Sequence, residues 1–186
     1  MRLFIAIDLP DDLKRELGRL WTDIPGARRV PKEQIHLTLA FLGEVDEAAM
    51  ERLTGELARI QAPEFRLGFS GTGCFPDRHR PRVVWIGLEP NPRLKHLADR
   101  VHEAVLACGI PQDERPFSPH ITLARLRQSL SRESDAFLDQ NKKPKLPTFT
   151  VREFTLFQSR LTPQGALHIP VRNFLLADAG VSADGR

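Results

Sequence analysis

The sequence predicts an α+β fold of two lobes related by a pseudo-twofold axis, with two antiparallel sheets facing a central groove and helices on the outside. Three observations lead there. Apolar runs of strand length alternate with stretches whose apolar residues recur at helical spacing. The order of these runs in the second half repeats the order in the first. The segment His36-Leu37-Thr38-Leu39-Ala40-Phe41-Leu42 returns 84 residues later as His120-Ile121-Thr122-Leu123-Ala124-Arg125-Leu126, and Phe65 and Phe149 keep the same separation. Two copies are too few for a solenoid, and strands and helices segregated into lobes suit antiparallel sheets.

Element by element, Arg2 to Asp8 is nearly all apolar and reads as a buried strand. Asp11 to about Trp21 carries Leu13, Leu17, Leu20 and Trp21 on one stripe beginning after Pro10, which predicts a helix. Ile35 to Leu42 is the second strand, and Glu47 to Ile60 the second helix, with Met50, Leu53, Leu57 and Ile60 on its apolar face. Phe65, Leu67 and Phe69 alternate as a third strand that runs irregularly to Cys74 through Gly68, Gly71 and Gly73. After the loop PDRHRPR the order restarts with a strand from Arg82 to Leu88, a helix from Leu94 to Cys108 and a strand from Ile121 to Leu126. A short helix from Glu133 to Asp139 and an alternating strand from Phe149 to Phe157 follow, and the runs Ala166–Ile169 and Val171–Leu176 close the sheet. The whole reads as one bilobed domain over residues 1–178, built from repeats at about 1–77 and 82–178, with a polar tail at 179–186 expected to fray.

The 186 residues are 41% hydrophobic and 27% charged, an ordinary globular balance that excludes disordered, collagen-like and coiled-coil classes. A net charge of +3 and a pI near 9.2 permit an anionic partner without demanding one. Cys74 and Cys108 are too few for a disulfide framework and have no metal-ligand spacing, so a reducing cytoplasm is the simplest setting. The opening apolar run ends at Asp8, too short for a signal-peptide core or a membrane span, and no other stretch reaches membrane length. A soluble, cytoplasmic protein without membrane association is expected.

The chemistry is expected in the two His-x-Thr pairs. Alternation along a strand puts His36 and Thr38 on one face and Leu37 and Leu39 on the other, and treats His120 and Thr122 against Ile121 and Leu123 in the same way. A pseudo-twofold axis would confront the two polar faces across a groove. In-line cleavage of a phosphodiester needs a base on the attacking oxygen and an acid on the leaving oxygen, and two histidines supply both near neutral pH. Threonine hydroxyls donate to the non-bridging oxygens as charge builds there. A lone His-x-Thr reads more simply as a half-buried polar pair with satisfied hydrogen bonds. Its recurrence at equivalent places favours function, because burying four polar groups symmetrically without purpose is costly. A metal site lacks a recurring Asp, Glu or Cys beside either motif, and a Ser or Cys triad lacks a G-x-S-x-G elbow.

HLTL and HITL resemble the paired H-x-T-x signatures of the 2H phosphoesterase superfamily. Their surroundings, RLFIAIDLP, IHLTLAFLGEV, RVVWIGL and RPFSPHITLAR, are similar to the bacterial RNA 2′,3′-cyclic phosphodiesterases, also called 2′-5′ RNA ligases, over Arg2 to about Leu176. The resemblance implies the bilobal α+β fold, hydrolysis of terminal 2′,3′-cyclic phosphates to 2′-phosphates, and reversible joining of RNA ends through a 2′-5′ bond. It implies no metal and no other cofactor. By position it makes His36 the proton donor to the leaving 3′ oxygen, His120 the proton acceptor that activates water, and Thr38 and Thr122 the phosphate ligands. Arg125 follows the second motif as Arg does in many relatives and is implied to contact phosphate, a surface ion pair being the other reading. Phe41 fills the equivalent slot in the first half, so the symmetry is broken there, and it joins the substrate-binding candidates. With no Tyr in the chain, Phe and Trp are left to stack a terminal base.

Three loops are basic: Arg28, Arg29 and Lys32; Arg78, His79, Arg80 and Arg82; and Lys142, Lys143 and Lys145. Solvated surface is the plain reading, yet Arg28 and Arg29 lie just ahead of His36 and are candidate contacts to an RNA backbone. His96 and His102 fall on a predicted helix and read as surface, and His168 lacks a Thr partner and receives no role. The expected partner is RNA with 2′,3′-cyclic phosphate or 2′-5′ linked ends, bound by a monomer. The alternatives are a phosphodiesterase for small nucleoside or ADP-ribose cyclic phosphates and a non-catalytic RNA-end binding module, the latter disfavoured by the two complete His-Thr pairs.

Overall fold

In the computed structural model, which describes residues 1–113, 115–127, 132–163 and 165–177, the apolar run Arg2–Asp8 becomes strand β1, buried along its length between two neighbours. Helix α1 (Asp11–Leu20) follows Pro10 and buries Leu13 and Leu17. A three-residue strand, β2 (Ala27–Arg29), and a single 3-10 turn (Lys32–Gln34) lead into β3 (His36–Glu44). Helix α2 (Glu47–Leu57) starts where the Asp46 carboxylate accepts from the Ala49 N–H at 2.7 Å, a cap worth about 1 kcal/mol. The next elements are β4 (Phe65–Leu67), β5 (Phe69–Phe75) and β6 (Val83–Leu88). Helix α3 (Pro92–Ala107) has Pro92 in its first turn, and the Asn91 side chain accepts from the N–H groups of Arg93 and Leu94. Then come β7 (His120–Leu126), α4 (Arg132–Gln140), β8 (Phe149–Val151), β9 (Glu153–Thr162) and β10 (Gly165–Leu175).

Two stretches expected as single strands are each broken once, at Gly68 and at Arg152, 84 residues apart. The breaks let one alternating stretch serve two sheets: β4 and β8 pair with each other in a small sheet, while β5 and β9 enter the large one. At Gly68 the Glu89 carboxyl occupies the space a Cβ would need, so a larger residue at that corner would have to displace the Glu89 side chain. The two closing runs form one strand, β10, with a register irregularity between Pro170 and Arg172. The tail expected at 179–186 lies outside the described residues.

The large sheet has the order β10-β9-β1-β3-β7-β6-β5, with β2 added beside β7, and its paired strands are all antiparallel. The two sheets read from the sequence are thus joined, and the join is a single residue pair, Leu37 with Ile121. Around it the lobes exchange strands: β9 of the second half completes the first lobe against β1, and β5 of the first half completes the second against β6. Strand β10 has no counterpart, since β5 forms the free edge of the second lobe. Leu3, Ile5, Ile7, Leu37, Ile86 and Ile121 enter one core with helix residues such as Leu17, Leu53, Leu97 and Val101. Each such side chain contributes about 1.5–3 kcal/mol of burial. Among the described residues no helix is long and apolar enough to cross a membrane.

Candidate active site

The join between the lobes falls in the middle of both motifs. Leu37 and Ile121 point into the core and are fully buried, so alternation turns their neighbours His36, Thr38, His120 and Thr122 to the other side. All four line one cleft of about 370 Å³. Antiparallel pairing centred on Leu37 and Ile121 makes His36 and His120 diagonal neighbours, a relation that in a regular ladder separates residues by about 7–8 Å.

Both motif strands carry a β-bulge at the same place. In β3 the partner of Ala6 is Thr38 and that of Ile5 is Ala40, so Leu39 is passed over; in β7 the partner of Trp85 is Thr122 and that of Val84 is Ala124, so Leu123 is passed over. The extra residue lets Leu39 and Ala40, and Leu123 and Ala124, be buried in succession. It also returns the residue five positions after each histidine to the histidine's own face, where strict alternation would turn it away. Those residues are Phe41 and Arg125, and both line the cleft. Phe41 is 70% exposed at its edge. Arg125 makes no ion pair among the described residues, which leaves its charge free for an anion.

The backbone two residues earlier acts on each imidazole. His120 Nδ1 lies 2.7 Å from the Ser118 carbonyl; since a carbonyl only accepts, Nδ1 carries the proton and Nε2 is left for chemistry. The backbone of Gln34, two residues before His36, favours the protonated form of that ring.

The surroundings of the two rings differ. His36 packs on Phe4 at 4.9 Å between ring centroids and meets His168 of β10 edge-on at 5.2 Å. Burial pushes the His36 imidazole down to about 4, and the His168 charge acts in the same direction, against the Gln34 backbone and Asp8. Burial also lowers His168. His120 instead meets the edge of Phe75 at 4.9 Å, with Trp85 at 6.2 Å. The Trp85 ring lies so close over Gly73 that a Cβ there would come within 2.3 Å of it.

His168 is the site residue that the sequence reading leaves out, along with Arg2, which also lines the cleft. Arg2 opens its strand outside the His-x-Thr motif, His168 lies on a strand without a counterpart, and the one trace of His168 in the sequence is its place two residues after Ala166 in a strand, both facing the cleft. Of the basic residues, Arg28 pairs across from Arg125, with its guanidinium beside Gly165 in the turn between β9 and β10. The structure does not bring Arg29 to the cleft, because its guanidinium rests on Gly18 of α1. Arg78 and Lys142 are engaged by Asp139. Among the described residues no three His, Cys, Asp or Glu side chains gather as a metal ion needs.

With this geometry in view, a family model described as the 2′-5′ RNA ligase superfamily matches residues 9–162. A protein of Archaeoglobus fulgidus named RNA 2′,3′-cyclic phosphodiesterase is 33% identical over 177 residues, covering 94% of this chain and 99% of the relative. One of Escherichia coli with the same name is 33% identical over 186 residues, covering 94% and 96%. The crystal structure of E. coli LigT in apo form superposes with a TM-score of 0.79 at 30% identity, covering 95% of this chain and 98% of that one. A match spanning most of the chain, relatives aligned nearly end to end, and a shared fold make this chain a member of the 2′-5′ RNA ligase superfamily.

Proposed function

We propose that this protein is an RNA 2′,3′-cyclic phosphodiesterase, opening a terminal cyclic phosphate to a 2′-phosphate by acid–base catalysis between two histidines. The observation that carries the reading is that two His-x-Thr pairs line one cleft. The names of the relatives point the same way. His120 Nε2 takes a proton from water as the oxygen attacks phosphorus, the P–O3′ bond breaks, and His36 gives a proton to O3′. Thr38 and Thr122 donate to the non-bridging oxygens, and Arg125 offsets the charge that grows on them. A 5′-hydroxyl in place of water would form a 2′-5′ bond by the same steps, and these are reversible. Burial pushes the His36 imidazole down to about 4, so the negative phosphate must draw the proton onto it.

The test is an oligonucleotide with a 3′-terminal cyclic phosphate, incubated with the protein in EDTA. The expected product carries a 2′-monophosphate; a 3′-monophosphate, or no turnover, overturns the reading. A higher kcat/KM for the oligonucleotide than for a nucleoside 2′,3′-cyclic phosphate is expected of an enzyme for RNA ends, and the reverse order would assign it a small substrate.

A further inference from the structure

The first lobe has a strand that the second lacks, and that strand, β10, brings His168 into the cleft. The His168 ring stands edge-on to His36 at 70° with centroids 5.2 Å apart, and both rings pack against Phe4. The three side chains line both the cleft and an adjoining pocket of about 250 Å³, forming the partition between them. Gln34, two residues before His36, ties the two strands together: its side-chain amide donates to the carbonyl of Ala166, two residues before His168.

We propose that His168 is a positioning residue acting through His36, the two imidazoles forming a coupled pair that near neutral pH holds no more than one added proton, so that there His36 becomes charged only when an anionic phosphate enters. This deepens the reading of His36 as proton donor. Two positive rings this close, half-buried and sharing an apolar neighbour, repel strongly enough to titrate as a unit. The other charged groups around His36 are Asp8 of β1, bridged to Lys14 of α1 at 2.6 Å, Glu33 of the 3-10 turn and Glu153 of β9; Arg2 of β1 and His120 and Arg125 of β7 share the cleft. Among these neighbours His168 acts most strongly on His36 and opposes its proton, as Lys14 does, while Asp8 favours it.

The test is a titration of the imidazole nitrogens of the full chain by NMR, which needs no substrate and so stands or falls separately from the proposed activity. In the unaltered protein, His36 and His168 are expected to show linked two-step titrations; independent single steps overturn the proposal without any variant. His168→Gln should raise the His36 midpoint by about one pH unit, and the limb of the kcat/KM profile that follows His36 should move with it. His168→Lys, which keeps a positive charge without the ring, should leave that midpoint low. An unmoved midpoint in His168→Gln, or a loss of turnover equal at every pH with both limbs in place, would reduce His168 to packing.

Discussion

The two motif strands are the same piece of backbone used twice, and they differ in what surrounds the histidine. Each has the His-x-Thr alternation and a bulge after the threonine, and in each the backbone two positions before the imidazole acts on the ring. On β3 the ring is covered by Phe4 and by a second imidazole, and the bulge delivers Phe41. On β7 the ring meets the edge of Phe75, and the bulge delivers Arg125. Duplication supplies matched positions for the two imidazoles proposed as acid and base. The unmatched strand β10 and one residue change per motif then make the two groups unequal, which a reaction needing an acid on one side and a base on the other requires.

The largest expected effect breaks the comparison at its centre. His36→Ala and His120→Ala should each lower kcat on a cyclic-phosphate oligonucleotide by about 10²–10⁴-fold; either variant staying within tenfold of the parent would show that only one motif is used. Thr38→Val and Thr122→Val should cost less, up to about 10²-fold in kcat, and a KM effect alone would make the hydroxyls binding groups only. The His36 environment also leaves a mark on stability. Its folded value lies below its unfolded one, so the unfolded chain binds more protons between pH 6.5 and about 4. Stability is therefore lost as pH falls through that window, by up to about 3 kcal/mol. Denaturant titrations should show His36→Gln lacking this part of the acid sensitivity, and parallel curves for the two proteins would contradict the burial argument. The smallest effect concerns the rim: Arg28→Ala should reduce the salt slope of RNA-end binding by about one, while Arg29→Ala leaves it unchanged. Equal slopes for both variants would remove β2 from the interface.

The parts of the site that were legible in the sequence are those that repeat. His36, Thr38, His120 and Thr122 announce themselves through period-two alternation and an 84-residue recurrence, and the same recurrence predicts the lobes. The bulges had a signal that alternation alone passes over: Leu39-Ala40 and Leu123-Ala124 are paired apolar residues inside alternating strands, and burying both requires an extra residue. Strand β2 was not legible, because three residues, Ala-Arg-Arg, have no pattern of their own and are extended only by pairing with β7. His168 was not legible either. It sits on a strand without a counterpart, and its place beside His36 depends on β10 following β9 across the first lobe, a contact between residues 132 positions apart.

The exchange of β5 and β9 sets a timetable for the chain as it is made. When β1 and β3 leave the ribosome, one edge of β1 stays open, and the strand that fills it, Glu153–Thr162, is synthesised only after β7 and α4. The second lobe meets no such delay, since β5 precedes its partner β6 by only a short loop. The nascent polypeptide thus carries an uncapped apolar edge until β9 emerges, a stage at which chaperone capture or premature association is favoured. The half of the molecule that is encoded first is the half that is finished last.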